Sequence, residues 1–248
     1  MAHEHTRRAF LRGLLGIGAG AVAAGVVAPH SGLAAGPTAP DLAPWTAGAT
    51  QTQISADDAL WRLREGNKRF VAGRYLRPNS QPSRRAVIAP AQLPFAVVLS
   101  CSDSRVPTEG VFDRGIGDLF VARVAGNSVD DALLGSMEFA VEQYNVPLLV
   151  VLGHERCGAV IGAVDMVTKG TTYPGHLPAM INPIRPAVEE VVNQSGDMID
   201  NAVRANIRLN VARLKDSEPI LAELVHAGKL RIIGARYDLD SGRVDFIL

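Results

Sequence analysis

Two short apolar runs, each followed at once by a motif that contains cysteine, constrain this chain more than any other feature of its sequence. Residues 95–99 and 148–152 are rich in Val and Leu and are bounded by Pro or Gly, a pattern that predicts buried strands. Cys101 follows the first run, and His154 and Cys157 follow the second. Because ligands of an open α/β sheet bind at the carboxyl ends of its strands, we expect these three side chains at one functional edge.

The residue types in the two motifs are those of a zinc site. Zn²⁺ takes thiolate and imidazole ligands, and catalytic zinc sites usually have three protein ligands and one open position. Cys101, His154 and Cys157 supply such a set, and the His-x-x-Cys spacing lets two of them converge at the start of a helix. The chain has only two cysteines, however, and two cysteines in an exported protein usually form a disulfide, which is the alternative for this pair.

With these motifs the sequence resembles the β-class carbonic anhydrases. The matching segments are Cys-Ser-Asp-Ser-Arg at 101–105 and Gly-His-Glu-Arg-Cys-Gly at 153–158, and the resemblance extends from about residue 54 to residue 248. It implies a Zn²⁺ ion held by Cys101, His154 and Cys157. It also implies that the catalytic residues Asp103 and Arg105 lie beside the fourth position of the metal.

The resemblance implies an enzyme, a lyase that hydrates CO₂ reversibly to bicarbonate and a proton by means of zinc-bound hydroxide. Asp103 would accept a hydrogen bond from the hydroxide, and Arg105 would hold Asp103 by a bidentate pair. The family is also known in a closed state, in which Asp103 would be the fourth ligand. A hydrolase of carbon disulfide or carbonyl sulfide, and a non-catalytic zinc or bicarbonate-binding module, are the alternatives on the same fold.

Three further residues are candidates for the substrate pocket. Gln81 matches, by position, a family glutamine that reaches the active site across a dimer interface, and its alternative is an exposed loop residue. Phe120 is either an apolar pocket residue or part of the core, and Gly158 directly follows Cys157. The family resemblance also implies a homodimer or a higher even oligomer. Val98 replaces a Trp that forms a bicarbonate regulatory site in one subgroup, which argues against that regulation.

The first 34 residues have the pattern of a twin-arginine export signal. Arg7 and Arg8, followed by Phe-Leu, precede a Gly/Ala-rich apolar run of about 15 residues, which is short for a transmembrane helix of roughly 20. We expect cleavage after Ala34 and export by the twin-arginine machinery to the periplasm or the exterior, with an uncleaved anchor as the alternative. Residues 35–53, rich in Pro, Gly, Thr and Ala, are predicted to be a flexible linker.

Residues 54–248 predict a single zinc-binding catalytic domain of the α/β class. Strand patterns alternate with helical spacing, which favours a mainly parallel central sheet flanked by helices, and a turn at 240–242 predicts a C-terminal antiparallel edge strand. A capping box at Ser55 predicts the first helix, whereas 79–85 is a predicted loop and 171–186 a predicted loop or lid.

The charge balance indicates no nucleic-acid partner. The whole chain has 25 basic and 25 acidic residues, and without the signal 22 basic residues face 24 acidic ones. A protein that binds nucleic acid would call for a basic patch, which this composition does not suggest.

Overall fold

A computed structural model describes residues 54–247, so the predicted signal peptide and linker lie outside the described residues. This part of the chain lies in one compact unit and has five strands and nine α-helices. The strands are β1 (Ala96–Ser100), β2 (Leu119–Arg123), β3 (Leu148–His154), β4 (Arg231–Tyr237) and β5 (Val244–Ile247). The α-helices are α1 (Ala56–Val71), α2 (Pro82–Ile88), α3 (Thr108–Val111), α4 (Asp131–Tyr144), α5 (Gly158–Lys169), α6 (Leu177–Ile181), α7 (Arg185–Val191), α8 (Met198–Lys215) and α9 (Ile220–His226). A 3₁₀ helix spans Asn182–Ile184.

The five strands form one sheet in the order β2-β1-β3-β4-β5. The first four strands are parallel, and β5 pairs with β4 in the antiparallel sense, which confirms the predicted sheet. Ser100 at the end of β1 lies opposite Leu152 of β3, and β3 continues for two more residues to His154. The register therefore carries Cys101 and His154 to the same carboxyl edge of the sheet.

The central strands β1 and β3 are buried along their whole length because helices cover both faces of the sheet. Val97 and Leu99 of β1 belong to the larger core cluster, which also contains buried residues of α4, α5, α7 and α8. Ala96 and Val98 point to the opposite face, where they join buried residues of α1 and α3. The alternation follows from the two-residue period of a strand.

Helix α1 begins where the sequence predicts it. The Ser55 hydroxyl accepts a hydrogen bond from the backbone N–H of Asp58 at 3.0 Å and donates one to its carboxylate at 2.8 Å. This exchange satisfies a backbone donor at the start of the helix. Among the residues described, none forms a helix that is both long and apolar enough to cross a membrane.

Both predicted loops are wrong in part, because each contains helix. Helix α2 begins at Pro82 within the first loop, and α6, the 3₁₀ helix and the start of α7 lie within the second. The prolines Pro82, Pro178, Pro183 and Pro186 occupy the first two positions of these helices. Proline is well tolerated there, since the first backbone N–H groups of a helix have no intrahelical acceptor.

Candidate metal centre

The structure brings together the three residues that the sequence predicts as metal ligands. Cys101 directly follows β1, His154 is the last residue of β3, and Cys157 is the N-cap residue of α5. All three are buried, and one potential ligand atom from each lies within 4.8 Å of the others. The expected convergence of two strand ends and one helix start therefore produces a compact group of two sulfur atoms and one nitrogen.

The connection between β3 and α5 turns sharply enough to bring His154 and Cys157 together. Gly153 has no side chain, and a Cβ atom there would lie 2.7 Å from the Ile207 side chain on α8. Arg156 has a φ of 48°, in the left-handed region that non-glycine residues rarely adopt. The absence of a side chain at Gly153 leaves room for α8, and the left-handed conformation of Arg156 turns the chain back. The end of β3 and the start of α5 therefore reach the same site.

The two cysteines are free, and their Sγ atoms lie 3.9 Å apart. A disulfide bond requires about 2.0 Å between the sulfur atoms. Two thiolates at zinc–sulfur distances of about 2.3 Å in a tetrahedral site lie about 3.8 Å apart. The spacing of Cys101 and Cys157 therefore fits a shared metal ion, and the structure does not contain the alternative disulfide.

The surroundings of Cys101 favour a thiolate. The pKa of Cys101 lies below the ordinary value of a thiol, chiefly because the Cys157 thiol donates a hydrogen bond to it, while burial opposes the change. The backbone N–H groups of Gly126 and Asp103 also donate to its Sγ, at 3.3 and 3.4 Å. The pKa of Cys157 is raised because this thiol holds the shared proton and is itself buried.

His154 presents an unpartnered nitrogen to the two sulfur atoms. Its Nδ1 lies 2.8 Å from the carbonyl oxygen of Glu155, and since a carbonyl only accepts, Nδ1 carries the proton. The remaining atom, Nε2, is buried without a hydrogen-bond partner in the described residues. A buried nitrogen in this state is costly, and metal binding would satisfy its lone pair. The donor set of two cysteines and one histidine thus fits Zn²⁺.

Asp103 lies beside this group and is paired with Arg105. Arg105 donates from Nε and from its backbone N–H to Oδ1 of Asp103, both at 2.9 Å, and from Nη2 to Oδ2 at 2.7 Å. These bonds hold the pKa of Asp103 well below its usual range, with the side-chain hydrogen bond as the largest cause. Oδ2 of Asp103 also lies 3.8 Å from Nε2 of His154. The structure therefore has an ionised carboxylate at the edge of the ligand group.

Arg123 is a residue of the site that sequence reasoning did not single out. From the end of β2 it donates to the carbonyl oxygen of Cys101 at 2.9 Å and to that of Asp103 at 2.8 Å. One guanidinium thus spans the segment that carries both a candidate ligand and the carboxylate. A signal was present, since the last residue of a strand beside β1 must lie at the same edge of a parallel sheet.

A second arginine supports the turn that carries His154. Arg236 is only 8% exposed and donates to the carboxylate of Glu155 at 2.6 Å and to that of Asp200 on α8 at 2.5 Å. Glu155 also accepts from the backbone N–H of Leu239 at 3.1 Å. The residue after His154 is therefore tied to β4, to α8 and to the turn that follows β4.

The three pocket candidates lie in different environments. Gly158 is the exposed first residue of α5, directly after Cys157, and there is open space where its side chain would be. Phe120 is half-buried and packs against the core, with its ring centroid 6.5 Å from that of Phe139 on α4. Gln81 is exposed at the N-cap of α2 and makes no capping hydrogen bond. Of the three, Gly158 adjoins the metal group, and Phe120 packs against the edge of the core.

Fold and site together define a class of protein: an α/β domain whose parallel sheet carries a centre of two cysteines and one histidine, beside an ionised aspartate, at its carboxyl edge. The family model described as "Carbonic anhydrase" matches residues 96–244, more than half of the chain. The chain belongs to the β-carbonic anhydrase family of enzymes, which confirms the resemblance of its two motifs.

The similarity to characterised relatives extends over most of the chain. "Carbonic anhydrase 2" of Mycobacterium tuberculosis is 41% identical over 186 residues, which are 75% of this chain and 90% of that protein. The carbonic anhydrase of Mycolicibacterium smegmatis is 39% identical over 188 residues, with coverages of 75% and 91%. The solved structure of the β-carbonic anhydrase CcaA is 25% identical, with a TM-score of 0.59 and coverages of 76% and 98%.

Proposed function

We propose that the protein catalyses the reversible hydration of carbon dioxide to bicarbonate and a proton at one Zn²⁺ ion held by Cys101, His154 and Cys157. The observation that carries the proposal is the convergence of two Sγ atoms and an unpartnered Nε2 in a buried site beside an ionised carboxylate. Membership of the β-carbonic anhydrase family supports the same reaction. Zinc bound there would act as a Lewis acid that lowers the pKa of water, chemistry that is known for carbonic anhydrases in general.

Asp103 would orient the attacking water. Because Arg105 keeps it ionised, the Asp103 carboxylate can only accept hydrogen bonds, so it would fix the direction of the water O–H and turn an oxygen lone pair towards carbon dioxide. Arg105 binds both carboxylate oxygens and thereby restrains the carboxylate from rotating towards His154. Asp103 would then act on the reacting atoms, and Arg105 would act through Asp103.

The hydrogen bonds of His154 and Cys101 would favour metal binding. The bond from Nδ1 of His154 to the carbonyl of Glu155 fixes the tautomer that leaves Nε2 free. Two backbone N–H groups stabilise negative charge on the sulfur of Cys101. A preorganised site of this kind loses little conformational freedom when the ion binds.

The test is carbon dioxide hydration by stopped flow, with the zinc content measured on the same sample. We expect one zinc per chain and a rate that increases with pH. Asp103→Asn should retain the zinc and lose most of the activity, whereas Cys157→Ser should lose both. One zinc per chain without hydration at any pH would contradict the proposal, and assays with carbon disulfide and carbonyl sulfide would then test the hydrolase alternative.

We also propose that the enzyme is a homodimer or a higher even oligomer. Trp61, Leu76, Val87 and Ile116 are large apolar side chains between α1 and β2 that are 44–72% exposed in the single chain. Exposed apolar groups concentrated in one stretch of chain favour a protein interface. Light scattering should give an even multiple of the chain mass, and Trp61→Glu together with Val87→Glu should lower that mass. A monomeric wild type would contradict this proposal.

Export by the twin-arginine route is proposed from the sequence pattern alone. The pattern consists of Arg7 and Arg8 before a weakly apolar run, and it suits a protein that folds and acquires its metal before export. We expect the wild type in the periplasm or outside the cell, with its N-terminus at residue 35. Arg7→Lys with Arg8→Lys should retain it in the cytoplasm. A membrane-bound chain with an intact N-terminus would instead favour the uncleaved anchor.

A further inference from the structure

A buried chain of hydrogen bonds connects helix α8 to the sulfur of Cys101. The backbone N–H of Gly126 donates to Cys101 Sγ at 3.3 Å. The carbonyl oxygen of the same glycine accepts a hydrogen bond from Nδ2 of Asn206 at 2.8 Å. Asn206 is 1% exposed and lies in the middle of α8, 80 residues further along the chain. One residue, Gly126, therefore contacts both a candidate metal ligand and a helix that supplies no ligand.

A second asparagine, one turn along α8, fixes the orientation of the first. The backbone N–H of Val129 can only donate, and it bonds to Oδ1 of Asn210 at 3.0 Å. The amide nitrogen of Asn210 must then face Asn206, where it donates to Oδ1 at 3.0 Å and to the backbone oxygen at 2.8 Å. With its own oxygen occupied in this way, Asn206 turns its NH₂ group towards Gly126.

Helix stability and core packing do not account for these two asparagines. The other buried residues of α8 are apolar, namely Ala202, Val203, Ala205, Ile207 and Leu214. Asparagine is a weaker helix former than these alanines and leucines, and a buried amide is costly unless it is hydrogen-bonded. Asn206 and Asn210 meet that condition through bonds to the 126–129 loop. These hydrogen bonds to the loop therefore explain why asparagine is present at both positions.

Gly126 needs an external restraint. Its φ of +80° lies in the region that glycine adopts readily, and a Cβ atom there would lie 2.6 Å from Ile184 Cδ1. The positive φ and the close Ile184 side chain both favour glycine, which has the greatest backbone freedom of any residue. A partner on α8 at its carbonyl oxygen would restrict this freedom, and the other donor to that oxygen, Oγ of Ser128, lies further away at 3.4 Å.

We propose that Asn206 is a positioning residue for the metal centre, which holds Gly126 so that its backbone N–H stays directed at the sulfur of Cys101. This inference rests on the proposed zinc site. The N–H bond stabilises the thiolate and directs its remaining lone pairs towards the ion. Partners that orient metal ligands in this way change metal affinity by roughly 10- to 100-fold when they are removed.

The test compares two substitutions in the full chain, Asn206→Leu and Asn210→Leu. They lie one turn apart on α8, and both replace a buried amide by an apolar side chain. Asn210→Leu leaves the backbone N–H of Val129 unpaired, and Asn206→Leu leaves the Gly126 carbonyl only the longer bond from Ser128 Oγ at 3.4 Å. Only Asn206→Leu removes the bond to Gly126, because in Asn210→Leu the Gly126 carbonyl, which can only accept, still selects the NH₂ group of Asn206. Competition with a chelator gives the affinity for Zn²⁺, and Co²⁺ substitution gives the thiolate-to-metal charge-transfer band, neither of which depends on enzyme activity.

We expect both variants to have a lower Tm without metal. Asn206→Leu should weaken Zn²⁺ binding by roughly 10- to 100-fold and shift the Co²⁺ band, whereas Asn210→Leu should change the affinity much less. Asn206→Ser, with a hydroxyl too short to make the same bond, should also weaken binding and serves if the leucine variant does not fold. Equal loss of affinity in the 206 and 210 variants, or wild-type affinity in both 206 variants, would overturn the inference.

Failure of the proposed function would give a different result from failure of the role proposed for Asn206. If the wild type itself binds no metal, the zinc site is wrong and the role of Asn206 is overturned with it. If the wild type binds zinc and hydrates carbon dioxide while the two Asn206 variants bind zinc equally well, only the role of Asn206 is overturned.

Discussion

Arg105 binds both carboxylate oxygens of Asp103, from Nε to Oδ1 at 2.9 Å and from Nη2 to Oδ2 at 2.7 Å. The second of these oxygens lies 3.8 Å from Nε2 of His154. The ion pair therefore controls two properties of the carboxylate, its charge and its distance from the ligand group. Each property leads to a measurable effect when the arginine is replaced.

Arg105→Gln should lower kcat/KM by about 100-fold, in the range expected for loss of a positioned acid or base. The pKa of Asp103 should return towards its ordinary value, so the acid limb of the pH–rate profile should move to higher pH. Zinc content should not change. Arg208→Gln, which removes an exposed ion pair with Glu190, is the matched control and should resemble the wild type. An unchanged pH–rate profile in Arg105→Gln would contradict the role of the pair.

Chelation should expose two reactive thiols. The chain has two cysteines, both of them buried and free, and metal binding would protect both. A thiol reagent should find almost none in the zinc-loaded protein and two after the metal has been removed under non-reducing conditions. The Tm should decrease on chelation, because an ion that binds only the folded state stabilises it. Two thiols before chelation, or none after it, would be inconsistent with ligation by Cys101 and Cys157.

Arg123→Leu should reduce activity without removing zinc. Its guanidinium holds the carbonyl groups of Cys101 and Asp103, so its loss should let the carboxylate shift relative to the metal. Small displacements of a positioned group cost about 10- to 100-fold in rate. The comparison is Arg231→Leu, at the start of β4 and the opposite end of the sheet, where the arginine pairs with Asp57. Equal rates for the two variants would exclude this role.

Asp113 should make the folding stability sensitive to acid. Its buried carboxylate accepts from Arg69 at 2.6 Å and from the backbone N–H groups of Leu76 and Arg77 at 3.0 Å. Burial raises the pKa of Asp113, but these bonds outweigh it and the net pKa is lowered. A lowered folded-state pKa gives stability that is present above the unfolded-state pKa and is lost as the pH falls through the folded-state value.

Asp113→Asn should therefore lower the free energy of unfolding by about 2 kcal/mol at pH 7, since hydrogen bonds to charged groups are lost. The difference between variant and wild type should narrow as the pH falls below the unfolded-state pKa of an aspartate. Urea unfolding at pH 7 and at successively lower pH measures both effects. A constant difference across that range would show that the charge of Asp113 does not contribute.

Residues whose chemistry is local to a motif could be predicted from the sequence. Cys101 and His154 each lie two residues after an apolar run, Cys157 lies three residues after His154, and the rules for parallel sheets place the ends of those runs together. Asn206 could not be found in this way, because its bond to Gly126 connects residues 80 positions apart. Within a helical pattern, a single asparagine is normally assigned to the solvent face.

The helices within 171–186 were missed for a different reason. Proline and glycine are rich there, and such composition predicts a loop, yet Pro178 and Pro186 lie in first helical turns. The buried Ile181 and Ile184 give this segment the packing that stabilises short helices. Composition predicts where regular structure is interrupted by proline and glycine. Tertiary contacts determine that short helices form between those residues.

Cys101 and His154 continue two strands in which every residue is buried. Amide hydrogens of such central strands exchange with solvent only when the whole domain opens, whereas loops open far more often. Two of the three proposed ligands are thus attached to the part of the fold that opens last. Local opening of the loops would leave these two ligands in place, so exchange of the metal should be slower than hydrogen exchange of the loop amides.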